Sequence, residues 1–116
     1  MKKRNENENY LERIPVRRGD ITHKTANDGI VTLEIENKGP FNRIAQKLFK
    51  KPKISYIHLD EFGSFVWTII DGEKSIYELA TEVDRRFGEK AHPLYERLSK
   101  YISILVSYGF VHWKNQ

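Results

Sequence analysis

Apolar positions along this chain change their spacing several times, and each change marks an element. In Val31-Thr32-Leu33-Glu34-Ile35-Glu36 they alternate with polar residues, which predicts a strand with one buried and one wet face. Residues 21–26 and 30–36 flank Asn27-Asp28-Gly29, whose residues readily take positive φ, so the two runs read as a β-hairpin. Residues 53–58, with Ile54, Tyr56 and Ile57 in imperfect alternation, read as a third strand.

Between the second and third strands the period changes to that of a helix. Phe41, Ile44, Ala45, Leu48 and Phe49 fall at i, i+3, i+4, i+7 and i+8, with Pro40 suited to a first turn and Pro52 to an end. After Leu59, the residues Phe62, Val66, Ile69 and Ile70 form the inward stripe of a second helix, capped by Asp60 and stopped by Asp71-Gly72. Ser75 and Glu78 have the spacing of a capping box, in which hydroxyl and carboxylate satisfy opposite orphan amides. Ile76, Leu79, Ala80, Val83 and Phe87 then face the core, and Gly88 closes that helix.

The last helix runs from near Pro93 to Tyr108. Its stripe of Leu94, Leu98, Ile102 and Leu105 is joined by Tyr95, Tyr101, Ile104 and Val106, so apolar side chains cover most of its circumference. Such a helix either lies at the centre of a fold or leaves a groove for something else to fill. At the other end of the chain the first nine residues hold nothing to bury. Residues 1–18 are expected to be a mobile arm, which Tyr10, Leu11, Ile14 and Val16 can anchor.

Charge changes the picture in one place. The formal net charge is +4, yet residues 38–53 hold six bases and no acid, while 1–37 balance at seven of each and 54–116 carry seven bases against nine acids. Arg43, Lys47, Lys50, Lys51 and Lys53 thus make a candidate anion or partner patch. Its alternative is a solvated helix face, and a basic amphipathic helix bearing Phe41 and Phe49 also has the make-up of a membrane-surface helix.

The remaining chemistry is sparse. Without cysteine, disulfides and thiolate metal sites are excluded. His23, His58, His92 and His112 share no spacing suited to one metal. Asp60 with Glu61, and Glu82 with Asp84, fit a helix start and a solvated face rather than two acids across a substrate. No nucleophile motif or phosphate loop occurs. The expectation is a protein that is not an enzyme and holds no metal or cofactor. A chain of 116 residues fits one domain with a modest core. The amino terminus, Met1-Lys2-Lys3-Arg4, lacks the apolar segment of a secretory signal, which makes a cytoplasmic location the default.

Three stretches carry a resemblance. Leu59-Asp60-Glu61 with Gly63, Phe65-Val66-Trp67 and Asp71-Gly72 is the first; Ser75-Ile76-Tyr77-Glu78-Leu79-Ala80 is the second; Leu98, Tyr101, Ile102 and Leu105 leading to Gly109-Phe110-Val111 is the third. Together they resemble the PqqD family, closely over residues 54–111 and loosely over 21–36. The resemblance does not extend to residues 1–18 or 38–53.

What the resemblance implies is a small α+β, winged-helix-like domain over residues 19–116. Its three-stranded antiparallel sheet comes first and a three-helix bundle follows, here with an extra amphipathic helix inserted at 38–53, where the family usually joins its strands directly. It also implies a non-catalytic peptide-binding protein, a precursor-peptide recognition element. Such a domain presents a ribosomally made precursor peptide to a tailoring enzyme, often a radical S-adenosylmethionine (radical SAM) enzyme. Carried onto this chain, the peptide would lie between Ile54, Ser55, Tyr56 and Ile57 on the third strand and Tyr95, Leu98, Tyr101 and Ile102 on the last helix. Leu98 and Ile102 have core packing as their alternative role.

Two other functional classes stay open at this level. Three helices with a small sheet and a basic patch also describe a winged-helix DNA-binding regulator. Against it, the last helix offers a groove only Arg97 and Lys100 among its apolar residues. A membrane-surface or protein adaptor would work through residues 41–51. The surplus apolar surface of the last helix would also suit a homodimer.

Overall fold

Asn27-Asp28-Gly29 turns the chain as its residue types predict. The Gly29 amide donates to Ala26 O at 2.9 Å, Gly29 sits at φ +87°, and the Ile30 amide donates to Asp28 Oδ1 at 3.0 Å. Only glycine takes that φ without strain. The computed structural model describes residues 9–36 and 53–115, and the chain divides into two compact units with boundaries at Arg18/Gly19 and Phe65/Val66.

In the unit of residues 19–65, β2 (Thr22–Thr25), β3 (Val31–Glu36) and β4 (Ile54–His58) form an antiparallel sheet of order β2-β3-β4. Thr25 stands opposite Val31 and Thr22 opposite Glu34; on the other side of β3, Leu33 pairs with Ile57 and Ile35 with Ser55. Val31, Leu33 and Ile35 are buried while Thr32 and Glu34 are half-buried and Glu36 exposed, which is the expected alternation. Ile21 joins the buried set. The helical insert expected at 38–53 lies outside the described residues, apart from Lys53, which is exposed.

Helix α1 (Glu61–Ile69) crosses the unit boundary. Asp60 caps it as expected, its Oδ1 accepting from the Gly63 amide at 2.7 Å. In its first half Ser64, 2 % exposed, accepts the Val31 amide on its Oγ at 2.8 Å. In its second half Val66, Trp67 and Ile70 are buried, whereas Phe62 and Ile69 of the predicted stripe are only half-buried. Trp67 widens the stripe on one side, because a 3.6-residue period places it next to Val66 and Ile70.

The second unit joins the N-terminal residues to the last three elements. Residues 10–12 form a 3₁₀ turn and Pro15–Arg17 form β1, which pairs antiparallel with β5 (Val111–Trp113). Lys114 N donating to Ile14 O at 2.8 Å and Arg18 N donating to Phe110 O at 2.9 Å extend the pairing at both ends. Residues 1–8 lie outside the described residues. Pro15 is tolerated as the first residue of β1, where a missing N–H breaks no interior ladder bond. The Tyr10 ring stands edge-on to Trp113 at 5.5 Å, and its hydroxyl lies 3.2 Å from Ser103 Oγ.

Between α1 and α2 (Ile76–Phe87) the Asp71 carboxylate organises the turn. Its Oδ1 accepts the Glu73 and Lys74 amides, both at 2.9 Å, and its Oδ2 meets Lys74 Nζ at 2.7 Å. The capping box predicted from Ser75 and Glu78 forms in both directions, at 3.2 and 2.9 Å. Ile76, Leu79, Ala80 and Val83 are buried as the period predicts. In α3 (Leu94–Ser107) only Leu98, Ile102 and Leu105 are buried; Tyr95 and Ile104 are exposed and Leu94, Tyr101 and Val106 half-buried.

Candidate functional site

The outer edge of β4 is the candidate site, and the register decides which atoms it offers. The Leu59 amide donates to Val31 O at 2.9 Å, so the pair Leu59/Val31 belongs to the hydrogen-bonded set of this antiparallel ladder. The set alternates, placing Ile57 with Leu33 and Ser55 with Ile35 in it. The main-chain groups of Ser55 and Ile57 therefore turn toward β3. Those of Ile54, Tyr56 and His58 turn the other way, and no strand among the described residues pairs with them.

Side chains follow the same phase. Cross-strand partners share a face, so Ser55 and Ile57 lie on the face of Leu33 and Ile35, and both are half-buried. Ile54, Tyr56 and His58 lie on the open face beside Glu36, Glu34 and Thr32. Ile54 is 40 % exposed and Tyr56 59 %. His58 is held in place by Thr32, whose Oγ1 lies 2.7 Å from Nδ1. Glu34 is occupied toward β2, accepting from Thr22 Oγ1 at 2.8 Å and facing Lys24 Nζ at 3.6 Å.

The four positions proposed on the last helix divide sharply. Leu98 and Ile102 have no exposed surface and serve as core. Tyr95 is exposed and Tyr101 half-buried, so these two retain surface for a ligand. Of the basic patch, Arg43, Lys47, Lys50 and Lys51 lie outside the described residues. On α3 Arg97 donates through Nη1 to the Lys90 carbonyl, which ties one of the two bases a recognition helix would need.

His58 is absent from the positions the sequence singles out, although its main chain lies on the same outer edge, with which no strand among the described residues pairs. Its role follows from the phase of β4 against β3, which the period of β4 alone does not reveal. Among the described residues no group of three His, Asp or Glu side chains is arranged to hold a metal ion, and no helix is long and apolar enough to cross a membrane. His92 instead pairs with Asp84, Nε2 to Oδ1 at 3.2 Å.

The family model described as coenzyme PQQ synthesis protein D (PqqD) matches residues 31–111, from the first residue of β3 to the first of β5. No curated protein and no solved structure matches the chain.

Proposed function

Because this chain belongs to the PqqD family, we propose that it is a non-catalytic peptide-binding protein of peptide-derived cofactor or natural-product biosynthesis. It presents a ribosomally made precursor peptide to a tailoring enzyme, of the radical SAM kind, by accepting the peptide as an added strand beside β4. Residues 19–116 act in this reading as one peptide-binding domain of winged-helix-like arrangement, and the protein works in the cytoplasm.

The observation that carries the reading is the edge of Ile54, Tyr56 and His58, with which no strand among the described residues pairs. An extended peptide completes such an edge through its own main chain, whatever its side chains. Each hydrogen bond made there contributes about 0.5–1.5 kcal/mol net. The alternation of β4 gives these residues three outward N–H and three outward C=O groups. That is enough for a weak, reversible complex of the kind a carrier needs, since the cargo must be passed on. Exposed Ile54 and Tyr56 supply apolar surface for added affinity.

The test is amide hydrogen exchange. Tagged protein captures peptides from lysate of the source organism, and mass spectrometry identifies them. A recovered peptide, made synthetically, is then added to the purified chain. Slowed exchange at the amides of Ile54, Tyr56 and His58 is the expected result. A peptide that binds and leaves these three amides unprotected would overturn strand addition at this edge.

A further inference from the structure

We propose that Ile54 and Tyr56 read the side chains of the incoming peptide on the open face of the sheet. They select a strand with β-branched or aromatic residues at alternate positions i and i+2. This inference rests on strand addition at β4 and adds to it a source of sequence preference.

Among the described residues this face is polar except along the outer edge of β4. Thr22 and Lys24 of β2 and Thr32, Glu34 and Glu36 of β3 share it. The strand beyond them places Ile54 and Tyr56 there, both exposed. Edge strands usually carry a charge or a proline that discourages pairing, yet residues 54–57 hold neither. A single exposed apolar side chain is ordinary. Two at i and i+2 on an edge that pairs with no strand among the described residues form a row that a neighbouring strand would cover.

The geometry of a ladder sets what covers it. A residue directly beside Tyr56 in an added strand puts its side chain on Tyr56's face, with Cβ atoms about 4.5–5.5 Å apart. The residue two positions away does the same beside Ile54. Aromatic and β-branched pairs are the favourable ones across strands. The next alternate position falls beside His58, whose ring is engaged by Thr32, and there a polar residue fits. Read from the Ile54 end, the preferred peptide is apolar, any, apolar, any, polar, an order that runs from N to C in a parallel added strand and from C to N in an antiparallel one. Its intervening side chains lie on the opposite face and are not specified by these contacts.

A displayed library of random peptides about eight residues long, within the usual length of a strand, tests this on the full chain. Three variants separate the two layers of the argument. Ile54→Thr and Tyr56→Thr keep strand propensity and the main-chain groups while removing the apolar surface; Tyr56→Pro removes the outward N–H. Peptides enriched on the native chain are expected to show the apolar pair at i and i+2. Each Thr variant is expected to lose the preference at one of the two positions and about fivefold in affinity for a selected peptide. An unchanged pattern and affinity in both Thr variants would overturn side-chain reading while leaving strand addition intact. Full binding to Tyr56→Pro would overturn strand addition itself, and an absence of enriched peptides on the native chain would remove both.

Discussion

The Leu59 amide donates to the carbonyl oxygen of Val31 at 2.9 Å, and this bond sets the phase of β4. Because antiparallel ladders alternate, it assigns Ser55 and Ile57 to the sheet and leaves Ile54, Tyr56 and His58 facing outward. Two adjacent residues of one strand consequently differ in kind. The main chain of Ile57 pairs with β3, and the side chain of Tyr56 is exposed.

Proline substitution separates the two. Tyr56→Pro removes an N–H that no strand among the described residues uses, and proline is tolerated at edge positions of that type. Ile57→Pro removes a ladder bond to Leu33 and is expected to loosen the sheet. The expected outcome is near-native thermal unfolding with peptide binding lost for Tyr56→Pro, and a lowered midpoint for Ile57→Pro. A Tyr56→Pro protein less stable than Ile57→Pro would show that the phase is reversed.

Ser64 supplies a second test within the same unit. Its buried Oγ accepts the Val31 amide at 2.8 Å, and Ser64→Ala leaves that donor without its acceptor. An unsatisfied buried donor costs about 1–3 kcal/mol. Urea titration of Ser64→Ala should show a loss in that range, and Ser64→Thr, which keeps the hydroxyl, should lose less. Equal losses from both substitutions would assign the effect to packing.

Strands and helices were legible where one residue type dictates one geometry. Asn27-Asp28-Gly29 predicted the hairpin because positive φ is needed there, and the Ser75/Glu78 box predicted the start of α2 because the spacing satisfies two orphan amides at once. The pairing of β1 with β5 was not legible. Pro15–Arg17 and Val111–Trp113 are three-residue strands far apart in sequence, too short to show a period. The phase of β4 was hidden for a related reason: Ile54, Tyr56 and Ile57 place apolar residues on both faces, and only the partner strand decides which is the edge. On α3 apolar side chains cover most of the circumference, and only three-dimensional packing sorts buried Leu98 and Ile102 from exposed Tyr95.

The ribbon of β1 and β5 is expected to contribute measurably to stability. Trp113 is buried, meets Tyr10 edge-on and lies 5.5 Å from the Arg13 guanidinium, which is also 5.0 Å from Tyr10. Trp113→Ala should cost about 3–5 kcal/mol, as aromatic truncation in a core does. Arg13→Met should cost far less, because it also removes the buried Nε, which has no hydrogen-bond partner among the described residues. Chemical unfolding of the two variants orders them, and a loss from Arg13→Met as large as that from Trp113→Ala would make the cation the dominant contact.

Acid should weaken the turn between α1 and α2 through Asp71. The Lys74 ammonium and the Lys74 and Glu73 amides all favour the charged carboxylate, holding its pKa well below the ordinary 3.8. A carboxyl whose folded pKa is depressed binds protons more readily when the chain is unfolded. Its contribution to stability is thus fully present above the unfolded value and is lost progressively as pH falls below it. Lys74 is shifted upward by the same hydrogen bond, so its contribution persists below its unfolded value and is lost only as strongly basic pH passes its folded one. The two signs give a plateau across neutral pH with a decline on each side. Asp71→Asn retains an acceptor for the two amides and removes the charge. It should therefore be less stable than the native chain at neutral pH, and the gap should narrow when urea midpoints are compared below about pH 4. A gap that stays constant between neutral and acid conditions would assign the difference to turn geometry and remove the charge of Asp71 from the account.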